Sequence, residues 1–184
     1  MWTPLRTKDG MYEYEHKNGL KLLLIPRDGV DVTTANITYH VGSRNEGLGL
    51  TGATHYLEHG MFKGSKKFNG KLGMWKLEEL GAVLNATTYV DRTNYFEVIE
   101  SKYLNECITR EADRMLQPLL TQELLNSEMS VVRNEYERGC NNDFEFIHKR
   151  LMATAFMAHP YHHSTIGWKS DIENVSAEAL KHFH

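Results

Sequence analysis

Val83-Leu84-Asn85-Ala86-Thr87-Thr88-Tyr89-Val90 and Asn94-Tyr95-Phe96-Glu97-Val98-Ile99 are two runs rich in β-branched and aromatic residues, joined by a polar turn at Asp91-Arg92. Such residues fit a pleated, half-buried surface, and so short a connection leaves only an antiparallel pairing. The chain before them repeats the theme. Residues 12–16 alternate, Asn18-Gly19 is a two-residue hairpin turn, and residues 20–25 read as a buried strand closed by Pro26. Residues 32–41 alternate again, with Ala35, Ile37, Tyr39 and Val41 on one face.

Helical signals fill the rest. Thr51 is expected to cap a helix running to about Met61, punctuated by Gly60 and Gly64, and a second helix fits 72–80, stopped by Gly81. A third covers 103–116 and ends before Pro118, and a fourth runs from the cap Thr121 to Gly139. Asp143 is expected to cap a fifth, in which Phe144, Ile147, Leu151 and Ala155 recur at helical spacing, and His159-Pro160 marks its exit. Hairpins without regular βαβ alternation predict an α+β fold: a mainly antiparallel sheet with helices packed on it.

The length of 184 residues suits about one domain with a proper core. With 41% apolar and 24% charged residues and a formal net charge of −3, nothing points to nucleic acid or an anionic membrane as partner. No apolar run approaches the length of a membrane span. Cys107 and Cys140 have no paired spacing and read as two free thiols. The first 14 residues lack the order of a secretory signal, so the expected compartment is cytoplasmic, or periplasmic if a leader has been removed. Ser176 reads as a helix cap, with Leu180 and Phe183 at helical spacing, and the chain stops at His184 inside that pattern. The expectation is therefore a single domain over 1–184, the N-terminal part of something longer.

In the first helix stands His55-Tyr56-Leu57-Glu58-His59. Positions i, i+3 and i+4 share one helix face. Two neutral imidazoles there can hold Zn²⁺, while the carboxylate one turn away can take a proton from a water activated at the site. The order H-x-x-E-H inverts the commoner zinc-peptidase signature. A catalytic zinc site needs one more protein ligand from another element. Glu128 and Glu135 on the fourth helix are seven apart and so point the same way, with Val131 and Val132 between them. Carboxylates on a partly apolar stripe are costly unless neutralised, and a dication would do so. Spacing alone leaves either glutamate open as the third ligand.

The motif, with Met61-Phe62-Lys63-Gly64-Ser65 after it, resembles the inverzincin metallopeptidases of the pitrilysin, insulin-degrading enzyme and mitochondrial processing peptidase group. Val41-Gly42-Ser43-Arg44 is similar to that family's strand before the zinc motif. Asn85-Ala86-Thr87, Asp91 and Thr93-Asn94-Tyr95 are similar to its edge strand, and Val131-Val132-Arg133-Asn134-Glu135 to its third-ligand helix. His159-Pro160-Tyr161 and Ile166-Gly167 match the loop beyond it. The likeness runs from about Tyr12 onward. It implies a half-domain of the pitrilysin type, with His55, His59 and Glu135 as zinc ligands, Glu58 as general base and Glu128 as an auxiliary acid. It further implies that Phe62 lines the pocket after the cleaved bond and that Asn85, Ala86 and Thr87 lie along an extended peptide. Ser65 stands where threonine is usual, which does not touch the chemistry.

The resemblance implies a zinc-dependent endopeptidase acting on extended peptides or unfolded segments. The alternative is a non-catalytic peptide-binding or scaffold subunit, although such relatives generally lose ligands and this chain has all of them. It also implies a second homologous domain or subunit closing a chamber, so the 184-residue chain alone is expected to bind zinc and to cleave weakly or not at all. Other features read more plainly. Glu137 is a solvated helix-end charge, and Lys63, Lys66 and Lys67 form a solvated basic patch. His159, His162 and His163 are structural or surface histidines, and Trp75 with Leu77 and Leu80 forms a packing face.

Overall fold

Alternating side chains build two antiparallel sheets in the computed structural model, which describes residues 1–70, 73 and 75–184, the side chain of residue 75 excepted. The chain divides into two units, Met1–Asp31 and Val32–His184.

The first unit is a meander of β1 (Trp2–Lys8), β2 (Met11–His16) and β3 (Lys21–Leu24), in that order. The sequence reading missed β1, which joins β2 through Asp9-Gly10; both turn residues have positive φ (52° and 76°), as a type I′ hairpin demands. Pro4 sits in β1, an edge strand, beside a break in register between Pro4 and Arg6. At the Asn18-Gly19 turn the Asn18 side chain accepts the Leu20 N–H (3.2 Å). The expected buried strand at 20–25 is corrected: Leu22, Leu23, Leu24 and Ile25 are all exposed, because this unit contains no second layer to cover either face of its sheet.

The second unit carries the core. Its sheet has the order β4 (Val32–Tyr39), β6 (Thr93–Glu100), β5 (Val83–Thr88), all antiparallel. The central strand pairs Tyr95 with Ile37 and Ala86, and Glu97 with Ala35 and Leu84. One sheet face therefore presents Ala35, Ile37, Tyr39, Leu84, Ala86, Thr88, Tyr95 and Glu97 together.

The helices are α1 (Ala53–Met61), α2 (Trp75–Glu79), α3 (Leu104–Leu116), α4 (Gln122–Cys140), α5 (Asp143–Ala155), α6 (Lys169–Asn174) and α7 (Ala177–Phe183). Ala53, Tyr56 and Leu57 of α1 join Leu125 and Val132 of α4, Ile172 of α6 and Leu180 of α7 in one apolar cluster. A second cluster sets Leu77, Ala82, Ile99 and Cys107 together, and a third sets Met61 against Ala86 and Tyr95. Among the described residues no helix is long and apolar enough to cross a membrane.

Several local expectations change. Gly52, not Thr51, is the N-cap of α1, and the Thr51 hydroxyl instead donates to Asp171 (2.7 Å). Thr121 and Ser176 cap α4 and α7 through their side chains as read. Asn142, not Asp143, caps α5 by accepting the Glu145 N–H (3.2 Å). The stripe Phe144, Ile147 and Leu151 stays exposed, Phe144 at 78%. Periodicity marks an apolar face without saying what covers it, and α5 turns Lys149, Met152 and Ala153 inward instead. On α4 only Val132 of the valine pair is buried, while Val131 is 40% exposed. The expected helix over 72–80 is α2, Trp75–Glu79; residues 72 and 74 and the Trp75 side chain lie outside the described set, whereas Leu77 is buried. Cys107 is buried and Cys140 exposed, both free.

Candidate metal centre

The nine residues of α1 divide by face. Ala53, Thr54, Tyr56, Leu57, Gly60 and Met61 are buried, which leaves His55, Glu58 and His59 along the other side at i, i+3 and i+4, with the C-cap residue Phe62 continuing that side at i+7. Helix α4 packs through Leu125 and Val132, so its glutamates at 128 and 135, on the adjoining stripe, meet the histidines of α1.

Glu135 Oε2 lies 3.4 Å from His55 Nε2 and 3.7 Å from His59 Nε2. The two rings stand edge to face, 4.7 Å between centroids. The three donor atoms fall within 4.8 Å of one another, the one such group of three His, Cys, Asp or Glu among the described residues. In a tetrahedral zinc site with bonds of about 2.0–2.2 Å, ligand atoms stand roughly 3.3–3.5 Å apart. Two imidazole nitrogens and a carboxylate oxygen at these spacings fit the ion. Glu128 does not join them; its Oε2 is 3.1 Å from His59 Nδ1, the ring nitrogen away from the cluster, and its Oε1 is 2.6 Å from Lys63 Nζ. Of the two glutamates that spacing left open, Glu135 reaches both imidazoles and Glu128 stands behind one.

The electrostatics suit the arrangement. Burial, reinforced by the neighbouring His59, lowers the His55 pKa to about 4, so the ring is neutral near pH 7 and its lone pair is free for a cation. Burial pushes Glu58 above the usual carboxylate range, and a hydrogen bond from the Thr88 hydroxyl to Glu58 Oε2 moderates the rise. For Glu128 burial acts upward too, but the hydrogen bonds and charges of Lys63 and His59 outweigh it and hold the group below its usual range.

Glu58 and Glu135 border cavities on both sides. One, of about 350 Å³, is lined by Phe62, Lys63, Leu84 and Asn85. The other, of about 570 Å³, is lined by His55, Thr87, Thr88, Tyr136 and His148. Phe62 packs at a tilt against Tyr95, 6.2 Å between centroids. Ala86 and Thr88 face α1, whereas Asn85 and Thr87 alternate to the other side of the strand. The Thr87 hydroxyl is engaged by Asn94 (2.5 Å) and Arg92 (3.2 Å), and Asn85 Oδ1 accepts the Ala86 N–H (2.8 Å).

Sequence reasoning did not find Thr88. Its signal was the period of two, which puts it on the face of Ala86, one step along the strand. Lys63 is corrected from solvated patch to ion-pair partner of Glu128; nothing in its own neighbourhood of sequence names a partner 65 positions away (128 − 63). His163 is buried, 3.6 Å from Glu46, while Glu137 is exposed near Lys169 (3.5 Å).

Residues 22–169 match the family profile described as Insulinase (Peptidase family M16). The zinc protease PqqE of Helicobacter pylori is 34% identical over 172 residues, covering 91% of this chain and 38% of that protein. Human insulin-degrading enzyme is 29% identical over 180 residues, 92% of this chain but 18% of its own length. Among solved structures, a protease from Helicobacter pylori superposes with a TM-score of 0.87 at 31% identity, over 95% of this chain and 42% of its own. Pitrilysin superposes with a TM-score of 0.83 at 26% identity, over all of this chain and 21% of its own. The chain thus spans well under half the length of these relatives. An H-x-x-E-H helix backed by a distant glutamate, on a fold shared with zinc proteases, assigns the chain to the insulinase family, peptidase family M16.

Proposed function

We propose that this chain is the zinc-binding part of a metalloendopeptidase that hydrolyses extended peptides or unfolded segments. The observation carrying the reading is the approach of Glu135 to both imidazoles of α1, with Glu58 bordering the same two cavities. His55, His59 and Glu135 would hold Zn²⁺. When bound, the ion supplies Lewis acidity, bringing the pKa of water towards about 7 and polarising a carbonyl oxygen.

The chain's own groups do the rest. Glu58, raised by burial, takes the proton of the attacking water and returns it to the departing amine nitrogen. The Thr88 hydroxyl fixes the orientation of that carboxylate. Strand β5 is the edge of its sheet, so a peptide adds beside Asn85, Ala86 and Thr87 through backbone hydrogen bonds, which favours extended over folded substrates. Because the Thr87 hydroxyl is already engaged, that residue contributes its backbone rather than its side chain. Phe62 offers an apolar wall to the side chain that follows the cleaved bond. A second homologous domain or subunit closes the chamber in the working enzyme, and the 184-residue chain alone cleaves weakly or not at all.

Metal analysis and peptide cleavage test this. The chain should carry about one zinc, and Glu135→Gln should lose it. Glu58→Gln should keep zinc while lowering whatever cleavage the wild type shows by about 10²–10⁴-fold. Full zinc content in Glu135→Gln, or undiminished cleavage in Glu58→Gln, would overturn the assignment. Tight binding of extended peptides by the zinc-loaded chain joined to its second half, with no cleavage, would favour the scaffold-subunit alternative.

A further inference from the structure

We infer that Glu46 is a positioning residue of the metal centre: a buried carboxylate that fixes the first turn of α1, and with it His55, from outside the helix. The inference rests on the reading of His55, His59 and Glu135 as ligands.

A helix begins with backbone N–H groups that have no partner within it. An ordinary cap answers one of them with a local Ser, Thr, Asp or Asn. Here the N-cap is Gly52, which has no side chain to offer, and its φ of 89° is one that glycine alone adopts freely. A Cβ at this position would stand 2.6 Å from the Ile166 carbonyl oxygen, so the approach of that segment also excludes a capping side chain.

Glu46 does the work from six residues upstream. Its Oε2 accepts the Gly52 N–H and its Oε1 the Thr54 N–H, both at 2.8 Å. Thr54 is the residue next to His55. A second carboxylate, Asp171 of α6, accepts both the Thr51 N–H (3.1 Å) and the Thr51 hydroxyl (2.7 Å), while Thr51 Oγ1 accepts the Trp168 N–H (2.9 Å). His163 stands 3.6 Å from Glu46 Oε2, with its side chain 2% exposed and that of Glu46 fully buried.

Burying a carboxylate is costly, and with a local cap excluded at Gly52 the first turn of α1 is held by Glu46 from outside the helix. What the two anchors add, Glu46 buried and Asp171 half-buried, is a fixed position. They tie the start of α1 to the loop before it and to α6, whose Ile172 packs in one cluster with Leu125 and Val132 of α4, the helix that carries Glu135. Both are acidic at the positive end of a helix dipole, which suits the site.

Cobalt loading of the 184-residue chain tests this, with Co²⁺ affinity from chelator competition and the visible bands as a measure of ligand geometry. Glu46→Gln, which can accept one N–H but presents an NH₂ to the other, should weaken Co²⁺ binding about tenfold, the low end for residues that orient ligands, and shift the bands. Glu46→Asp, which keeps the charge but not the reach, should fall between. Ser176→Ala removes the ordinary cap of α7 and should leave both readouts at wild type. Unchanged affinity and bands in Glu46→Gln, or an equal change in Ser176→Ala, would overturn the inference. Should Glu46→Gln fail to fold, Asp171→Asn must show a smaller change in the same direction, and no change there is equally fatal. A wild-type chain without cobalt bands would remove the metal reading and this inference with it.

Discussion

Two groups of acidic side chains lie on either hand of Tyr95, whose hydroxyl feels both Arg114 and Glu58, and each has more carboxylates than cations. In the first, Glu97, Glu111 and Arg114 are all 2% exposed or less. Arg114 pairs with Glu97 at 3.1 Å and with Glu111 at 2.6 Å, and its guanidinium lies over the Tyr95 ring at 4.3 Å. One cation faces two carboxylates, and the shortfall is met by a proton: burial first, then the neighbouring Glu111, pushes Glu97 up to about 9. In the second group, Glu58, Glu128 and Glu135 face one lysine and two imidazoles, but this set borders open cavities. A sealed cluster can recruit only a proton. A cluster open to a cavity can take its missing charge from solution, as a dication. The same imbalance is therefore structural in one place and, on the proposed metal reading, functional in the other.

Removing the one cation of the sealed cluster is the strongest way to break this contrast. Arg114→Leu leaves the buried Glu111 carboxylate without a counter-charge, beside protonated Glu97, and should destabilise the protein by about 3–5 kcal/mol, read from urea unfolding. Whatever remains folded should bind Co²⁺ as the wild type does. A loss below about 1 kcal/mol, the scale of an exposed pair, would mean that the cluster is not sealed.

A titration sharpens the comparison at smaller cost. Between about pH 4.5 and 9 folded Glu97 keeps a proton that the unfolded chain has released, so its contribution to stability falls as pH rises. His55 works oppositely and lower: between about pH 4 and 6.5 the unfolded chain binds a proton that the folded, metal-free ring does not, so stability rises with pH there. Above pH 7 the Glu97 slope should remain, at up to about 1.4 kcal/mol per pH unit. Urea midpoints of metal-free protein at pH 7 and 9 should therefore fall in the wild type and stay level in Glu97→Gln. Parallel falls in both would place the titrating proton elsewhere.

The open group was far more legible in the sequence than the sealed one, for a physical reason. A metal centre imposes spacing, so His55, Glu58 and His59 announce themselves at i, i+3 and i+4, and the two turns between Glu128 and Glu135 offer a ligand at each end. The sealed cluster imposes none: Glu97 sits on a strand, Glu111 and Arg114 on a helix, and any of them reads as surface charge until β6 and α3 come together. Strands β4, β5 and β6 were readable because alternation is local. Strand β1 was not, although Asp9-Gly10 was a usable turn signal, because Pro4 interrupts the run. The apolar stripe of α5 marked its helix, but a period identifies a face and not its partner, and this face is exposed.

The smallest expected effect concerns the residue that joins charge to metal. His59 turns Nε2 towards Glu135 and Nδ1 towards Glu128, so the proton of the neutral ring must sit on Nδ1 if Nε2 is to offer a lone pair. The Glu128 carboxylate can only accept, and it thereby selects that tautomer; it also keeps Lys63, 2.6 Å away, from facing the imidazole alone. Glu128→Gln can still accept through its carbonyl, but Lys63 competes for the same oxygen and the amide can turn its NH₂ to the ring. Co²⁺ affinity should drop about tenfold, near 1.4 kcal/mol, with one metal still bound per chain. Unchanged affinity would reduce Glu128 to packing. A loss beyond about a thousandfold would instead make it a ligand, because orienting groups rarely cost more than a hundredfold and only the removal of a donor to the ion does.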